Sequence, residues 1–254
     1  MNDIPAKDTS VRSLTRALAI LQCFDLDSEE LTLKQIADRL DLPPATVLRL
    51  MTCLTQEGFL SKSTTKSYSL GTQTYLLGAI ASNHFRLHRV ANPILLSLSN
   101  AIGEAISVYG IEGEDRVCYD HVESQHSMRC VVRVGERFPL WAGAGGKCLL
   151  AFASEALVER ELGKLQSLTG NTIVDRDKFR QELELIRNTE EAVSFSEREV
   201  GITSTAVPIF SSQNKVQYTL SVASPTGRGT EEAIRRFIDR SKEAARAIAK
   251  QLYT

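Results

Sequence analysis

The 254-residue sequence has no uninterrupted apolar run approaching the ~18 residues of a membrane-spanning helix. Its opening, Met1-Asn2-Asp3-Ile4-Pro5, lacks the basic-then-apolar layout of a signal peptide. Both absences lead us to expect a cytoplasmic protein with no membrane partner. Neither sign of charge dominates: 30 Lys and Arg face 31 Asp and Glu, a formal net charge of −1. That balance argues against a protein that coats nucleic acid or anionic lipid by bulk charge, while leaving room for a locally basic surface. Cysteine is sparse and unpatterned. Cys23, Cys53, Cys118, Cys130 and Cys148 are odd in number, widely spaced and without a CxxC pair, so they fit neither a disulfide framework nor a zinc ribbon. Repeats and low-complexity tracts are absent, and there is one tryptophan, Trp141. What remains, 43% hydrophobic and 24% charged residues, is the mixture of a globular chain, and the length suits two domains.

Three short helical stripes occupy the first sixty residues. Leu14, Ala17, Leu18 and Leu21 recur at helical spacing, then Leu33, Ile36, Ala37 and Leu40, then Val47, Leu50, Met51 and Leu54. Thr32 has the chemistry of an N-cap for the second helix, Pro43-Pro44 suits entry to the third, and Gly58 ends it. Only Asp41 to Pro43 separate the second and third helices, which must therefore cross steeply. After Gly58 the pattern turns to a hairpin: Phe59-Leu60, a small, basic tip from Ser61 to Ser67, then Tyr68-Ser69-Leu70-Gly71. Three helices and such a hairpin make a winged helix-turn-helix over 10–71, and 72–89 reads as a linker helix.

The remainder, 90–254, mixes both periodicities. Helices are expected at 90–102, 143–153 and 177–189 and at the C-terminus; strands are expected at 105–111, 116–122, 128–134, 202–210 and 216–223. The fold class is α+β with a largely antiparallel sheet.

If the third helix buries Val47, Leu50, Met51 and Leu54, then Ala45, Thr46, Arg49, Thr52, Cys53 and Gln56 turn outward. Arg49 suits a guanine edge or a phosphate, Gln56 an adenine edge, and Thr46 a phosphate or a thymine methyl. Lys62 and Lys66 on the hairpin, with Arg12 and Arg16 on the first helix, would hold phosphates. The candidate DNA-binding set is therefore Arg12, Arg16, Thr32, Ala45, Thr46, Arg49, Thr52, Gln56, Lys62 and Lys66. A winged helix used only for protein contacts is the competing reading. The short hinge, the Arg-bearing outward face and the basic wing together favour DNA.

These segments resemble the isocitrate-lyase-regulator (IclR) family of bacterial transcription regulators. Ser13 to Leu21 is similar to its opening helix, Leu42 to Leu50 to its recognition segment and Tyr68 to Gly71 to the end of its wing. Gly135 to Leu140 leading to Gly146-Lys147-Cys148-Leu149-Leu150-Ala151, Gly201 to Ile209, and Ser221 to Pro225 are similar to its second domain. The resemblance implies a homodimer or homotetramer joined largely through the heads, and a GAF-like mixed α/β effector-binding domain for a small organic acid. It also implies double-stranded DNA with a pseudo-palindromic operator as partner, RNA polymerase as a further candidate partner, and neither a cofactor nor enzymatic activity. The ligand carboxylate would meet main-chain N–H groups at Ala144, Gly145 and Gly146, with Ser204 and Ser221 beside it. A small-residue loop running into a helix start independently favours an anion there. Trp141 and Gly143 stand where the family often has His and Thr, Ala223 replaces a serine, and no Asp occurs around Ser194-Phe195-Ser196-Glu197. With Phe195 near the pocket, and Trp141 either at the pocket or a plain core aromatic, an aromatic or larger acid is the expected effector.

Rival chemistries fit less well. The run from Ala142 to Cys148 lacks the first glycine and the final Ser or Thr of a phosphate loop. Cys118 and His121, three apart on a strand, point to opposite faces, and His84 with His88 lacks the Glu of a metalloprotease motif, so no metal site is expected. A small acyl or thioester hydrolase fused to the head is the alternative function, although no Ser-His-Asp signature stands out.

Overall fold

The computed structural model describes residues 11–253. The chain divides after His84 into two compact units. In the first, α1 (Arg12–Leu21) is followed by β1 (Leu31–Thr32), α2 (Leu33–Leu40), α3 (Pro44–Gln56), β2 (Leu60–Lys62), β3 (Ser67–Leu70) and α4 (Thr72–His84). Thr32 closes a capping box: its hydroxyl accepts from the Gln35 N–H at 3.3 Å, and the Gln35 side chain accepts from the Thr32 N–H at 2.9 Å. Asp41 takes a left-handed conformation (φ 49°) that stops α2, and Pro44 starts α3 after a minimal turn. Ile20, Leu31, Ile36, Val47, Met51, Leu60 and Tyr68 form the core of this unit.

Two details differ from expectation. Leu31 pairs with Tyr68 as a third strand, giving a sheet of order β1-β3-β2; two residues are too short to show a period in sequence. On α1, Ile20 and not Leu14 or Leu18 faces the core, and both leucines are exposed because the helix packs by the side that continues into Cys23.

The second unit contains α5 (Arg86–Ile102), β4 (Ala105–Glu112), β5 (Asp115–Val122), β6 (Arg137–Pro139), α6 (Ala144–Ala151), α7 (Glu155–Leu162), α8 (Arg176–Thr189), β7 (Ala192–Phe195), β8 (Ile202–Phe210), β9 (Val216–Pro225) and α9 (Glu231–Leu252). Its antiparallel sheet runs β6-β5-β4-β9-β8-β7. Alternate strand residues feed two cores. Ile106, Val108, Val207, Ile209, Leu220 and Val222 pack on α5 and α9, whereas Tyr109, Cys118, Phe138 and Ala206 face α6, α7 and α8. The result is a sheet with helices on both faces.

The expected linker helix over 72–89 is interrupted. Phe85 is extended (φ −70°, ψ 101°) and stacks on Tyr119 at 5.7 Å, so α4 ends at His84 and Arg86 begins α5. The expected strand over 128–134 is irregular: Cys130 and Val132 turn inward at a strand-like alternation, but the backbone joins no ladder. Gly135 (φ 88°) then reverses the chain so that β6 takes the outer edge of β5. The short elements β7 and α7 had no clear periodic signal.

Candidate nucleic-acid interface and effector cavity

On α3, Ala45, Arg49, Thr52 and Gln56 are exposed and Thr46 is half-buried, whereas Val47 and Met51 are fully enclosed. The Thr52 hydroxyl donates to the Leu48 carbonyl at 2.8 Å, leaving its oxygen lone pairs free to accept. Arg12 on α1 is exposed and Arg16 half-buried. Thr32 lies at the start of α2 with its hydroxyl committed to the cap. The wing tip carries Lys62 and Lys66 on the surface, with Lys66 at φ 65° in a turn closed by the Ser63 N–H on the Ser67 carbonyl at 2.9 Å. Ser67 also donates to Glu30 at 2.6 Å, which ties the wing to the segment before β1. The α3 face and the wing are thus presented by one small core, with Arg49 the cation on the exposed helix face.

The second unit encloses a cavity of about 30 Å³, room for a water or two, at the start of α6. Its lining includes Gly143, Ser204, Ser221 and Ala223, so the strand residues expected at the pocket meet there. The Ala144 N–H donates to Ser204 Oγ at 3.3 Å. Gly145 and Gly146, in the first turn, have N–H groups without an intrahelical acceptor. Gly146 also has a packing duty, since a Cβ there would lie 2.2 Å from the Leu140 carbonyl oxygen.

Trp141 and Phe195 do not line this cavity. The indole is only 4% exposed and packs in the core with Phe138, Leu150 and Ala206, because 140–142 run beneath α6 before the helix begins. Phe195, at the end of edge strand β7, is half-exposed on an open groove beside α8. The two residues on which the aromatic expectation rested therefore lie elsewhere.

The cavity residues not expected from the sequence include Tyr109, Arg116 and Arg198. The Arg116 guanidinium lies 4.5 Å from the Tyr109 ring and 4.8 Å from that of Phe138. Burial, reinforced by the nearby Arg198 charge, lowers its pKa to about 10, which still leaves it a cation at neutral pH. The legible signal was an arginine in register with the inward Cys118 on β5. Next to the cavity, the buried Lys147 ammonium donates to Glu197 at 2.6 Å, to Glu182 at 2.8 Å and to the Val193 carbonyl at 3.0 Å. Burial raises the Glu197 pKa against the opposing pull of Lys147. Glu197 thus occupies the neighbourhood in which the family resemblance implies an Asp, and it is engaged with Lys147.

Ser107 Oγ and His121 Nδ1 are 2.9 Å apart, but the buried His121 Nε2 has no partner to complete a triad. Burial pushes the Cys148 thiol far above its ordinary range and Cys118 up to about 12, opposite to what a nucleophile needs. Among the described residues no cluster of three or more His, Cys, Asp or Glu could hold a metal, and no helix is long and apolar enough to cross a membrane.

The family model for the IclR helix-turn-helix domain matches residues 13–64, and that for the bacterial transcriptional regulator IclR C-terminal domain matches 80–250. The chain belongs to the IclR family. IclR-family relatives align over nearly its whole length. The transcriptional regulator BhcR of Paracoccus denitrificans is 31% identical over 94% of this chain and 86% of its own. KipR of Bacillus subtilis is 26% identical over 95% and 97% respectively. Among solved structures, an IclR regulator from Alicyclobacillus acidocaldarius superposes with a TM-score of 0.86 at 29% identity, covering 95% of this chain and 99% of that one. An IclR homologue from Microbacterium hydrocarbonoxydans, complexed with 4-hydroxybenzoate, gives a TM-score of 0.80 at 25% identity over 94% and 98%. As an IclR-family member the chain is a DNA-binding transcriptional regulator and not an enzyme, and its second unit is the family's ligand-binding domain.

Proposed function

We propose that this regulator senses a small organic carboxylic acid in the cavity at the start of α6 and alters its grip on a pseudo-palindromic operator accordingly. The carrying observation is that Ser204, Ser221 and the buried Arg116 guanidinium line one cavity beside Gly143, the N-cap of α6, a set suited to a carboxylate. The relative complexed with 4-hydroxybenzoate supports an acid as the ligand class. In the head, Ala45, Thr46, Arg49, Thr52 and Gln56 read the major groove, while Arg12, Arg16, Lys62 and Lys66 hold phosphates; Thr32 orients α2 through its cap.

Two heads engage two half-sites about one helical turn apart or a multiple of it, as a homodimer or homotetramer in the cytoplasm. Unpartnered apolar side chains support self-association through the head: Val11, Leu14 and Leu18 along α1, and Tyr75, Leu76, Leu77 and Ile80 on α4. Effector binding shifts a pre-existing equilibrium between arrangements of heads and sensor units. The test is an electrophoretic shift with DNA from the protein's own promoter. Arg49→Ala should weaken binding at least tenfold while leaving the fold intact by circular dichroism, and unchanged binding would refute the recognition-helix assignment.

A further inference from the structure

We propose that Arg116 is the specificity residue of the effector cavity and that the acid it selects is a dianion, a small dicarboxylic acid. This deepens the organic-acid reading and rests on it. Arg116 is only 4% exposed, yet its buried Nε has no hydrogen-bond partner, and among the described residues no carboxylate pairs with it. Tyr109 and Phe138 stabilise the cation through their ring faces but offer no acceptor to its N–H groups from there. A buried charge with no carboxylate in direct contact, and only the more distant pull of Glu136, is a costly feature for a fold to keep.

Its position compounds the cost. Arg116 Nη1 comes so close to α6 that a Cβ on Gly145 would sit 2.8 Å from it. At the N-cap the Gly143 N–H already serves Glu197, so the cation faces the still unbonded N–H groups of Gly145 and Gly146, an arrangement that an anion between them resolves. One carboxylate laid on the Arg116 fork and the N–H groups of Gly145 and Gly146 uses both its oxygens in full. Arg198 remains. It stands 4.3 Å from the same Phe138 ring and 3.8 Å from Glu199, whose side chain is 64% exposed and therefore well screened by water. A second carboxylate meets that guanidinium. The cavity holds about 30 Å³, so binding a diacid requires its rim, which includes Arg198, Cys130 and Val132, to give way.

The experiment is calorimetric titration of the full-length protein with matched acids: succinate against butyrate, adipate against hexanoate, and phthalate against benzoate. At least one diacid is expected to bind tenfold or more tightly than its monoacid. Arg116→Met should lose that binding a hundredfold while its ligand-free melting temperature holds or rises, since an unpaired buried charge has gone. Arg116→Lys should retain part of the affinity, and Arg198→Met should bind diacid and monoacid alike. Equal wild-type affinity for the two acids of every pair overturns the dianion and leaves the organic-acid reading standing. A lowered melting temperature in Arg116→Met with diacid binding intact makes Arg116 structural and likewise overturns the inference. Silence towards all six acids, in protein that still binds its operator, counts against both.

Discussion

Arg116 and Lys147 are both cations enclosed in the second unit, and their surroundings separate their roles. Lys147 has three acceptors within 3.0 Å, two of them carboxylates, and its side chain is 1% exposed. Replacing it with Met strands Glu197 in the interior, and the expected loss of stability is about 3–5 kcal/mol, measured by denaturant unfolding. Arg116 has no such partners, so its removal is not expected to carry that penalty. His121 gives the pH test. Burial lowers its pKa below the ordinary histidine value, so the unfolded chain binds the proton more readily than the fold does. Stability attributable to this group is complete above the unfolded pKa of about 6.5 and is lost as pH falls from there towards the lower folded value. The melting temperature should accordingly drop between pH 7.5 and 5.5, and by less in His121→Gln; equal drops would show that His121 does not control this range.

At the scale of elements, the proposed DNA head divides its work between α3 and the wing. The wing's Lys62 and Lys66 are exposed on a turn tied down by Ser63, Ser67 and Glu30, a placement suited to backbone contacts. Substituting both by Ala should flatten the salt dependence of operator binding, lowering the log–log slope by about 1–2 without changing sequence preference. An unchanged slope would remove the wing from the interface. Element boundaries were legible where capping chemistry marks them: Thr32, Asp41 with the prolines, and Gly58. They were not legible at Phe85 or over 128–134. In the first case a helical pattern runs through the break, and Phe85 leaves the helix to stack on Tyr119, a residue 34 positions away. In the second, alternation predicts which side chains turn inward but not whether a neighbouring strand is available to pair.

For the whole molecule, a near-neutral total charge implies weak non-specific attraction to DNA, and in the proposed oligomer affinity then depends on two heads binding at once. The helix α4 is the point at which to test this. Tyr75 is 74% exposed, and Leu76, Leu77 and Ile80 are similarly uncovered, on a helix anchored to the head by the Thr74 hydroxyl donating to the Phe59 carbonyl at 3.0 Å. Leu77→Asp in the full chain should shift the sedimentation coefficient towards monomer and reduce operator affinity about 10²–10⁴-fold, the range that linked binding supplies. A dimeric variant with normal affinity would place self-association elsewhere.

The sequence by itself determined the two-unit plan, the three-helix head with its wing, the outward face of α3, the small-residue loop into α6 and the family. Each of these is written in local spacing, caps and contiguous motifs, which need no knowledge of distant contacts. Tertiary structure alone decided which aromatic and charged side chains line the cavity. It turned the Trp141 indole into the core beneath α6, left Phe195 on an outer edge, and brought Arg116 from β5 to the start of that helix across a sheet. The physical reason is that a pocket's charge is set by which strands lie side by side. An arginine's lack of a partner becomes visible only when everything around it has been folded into place.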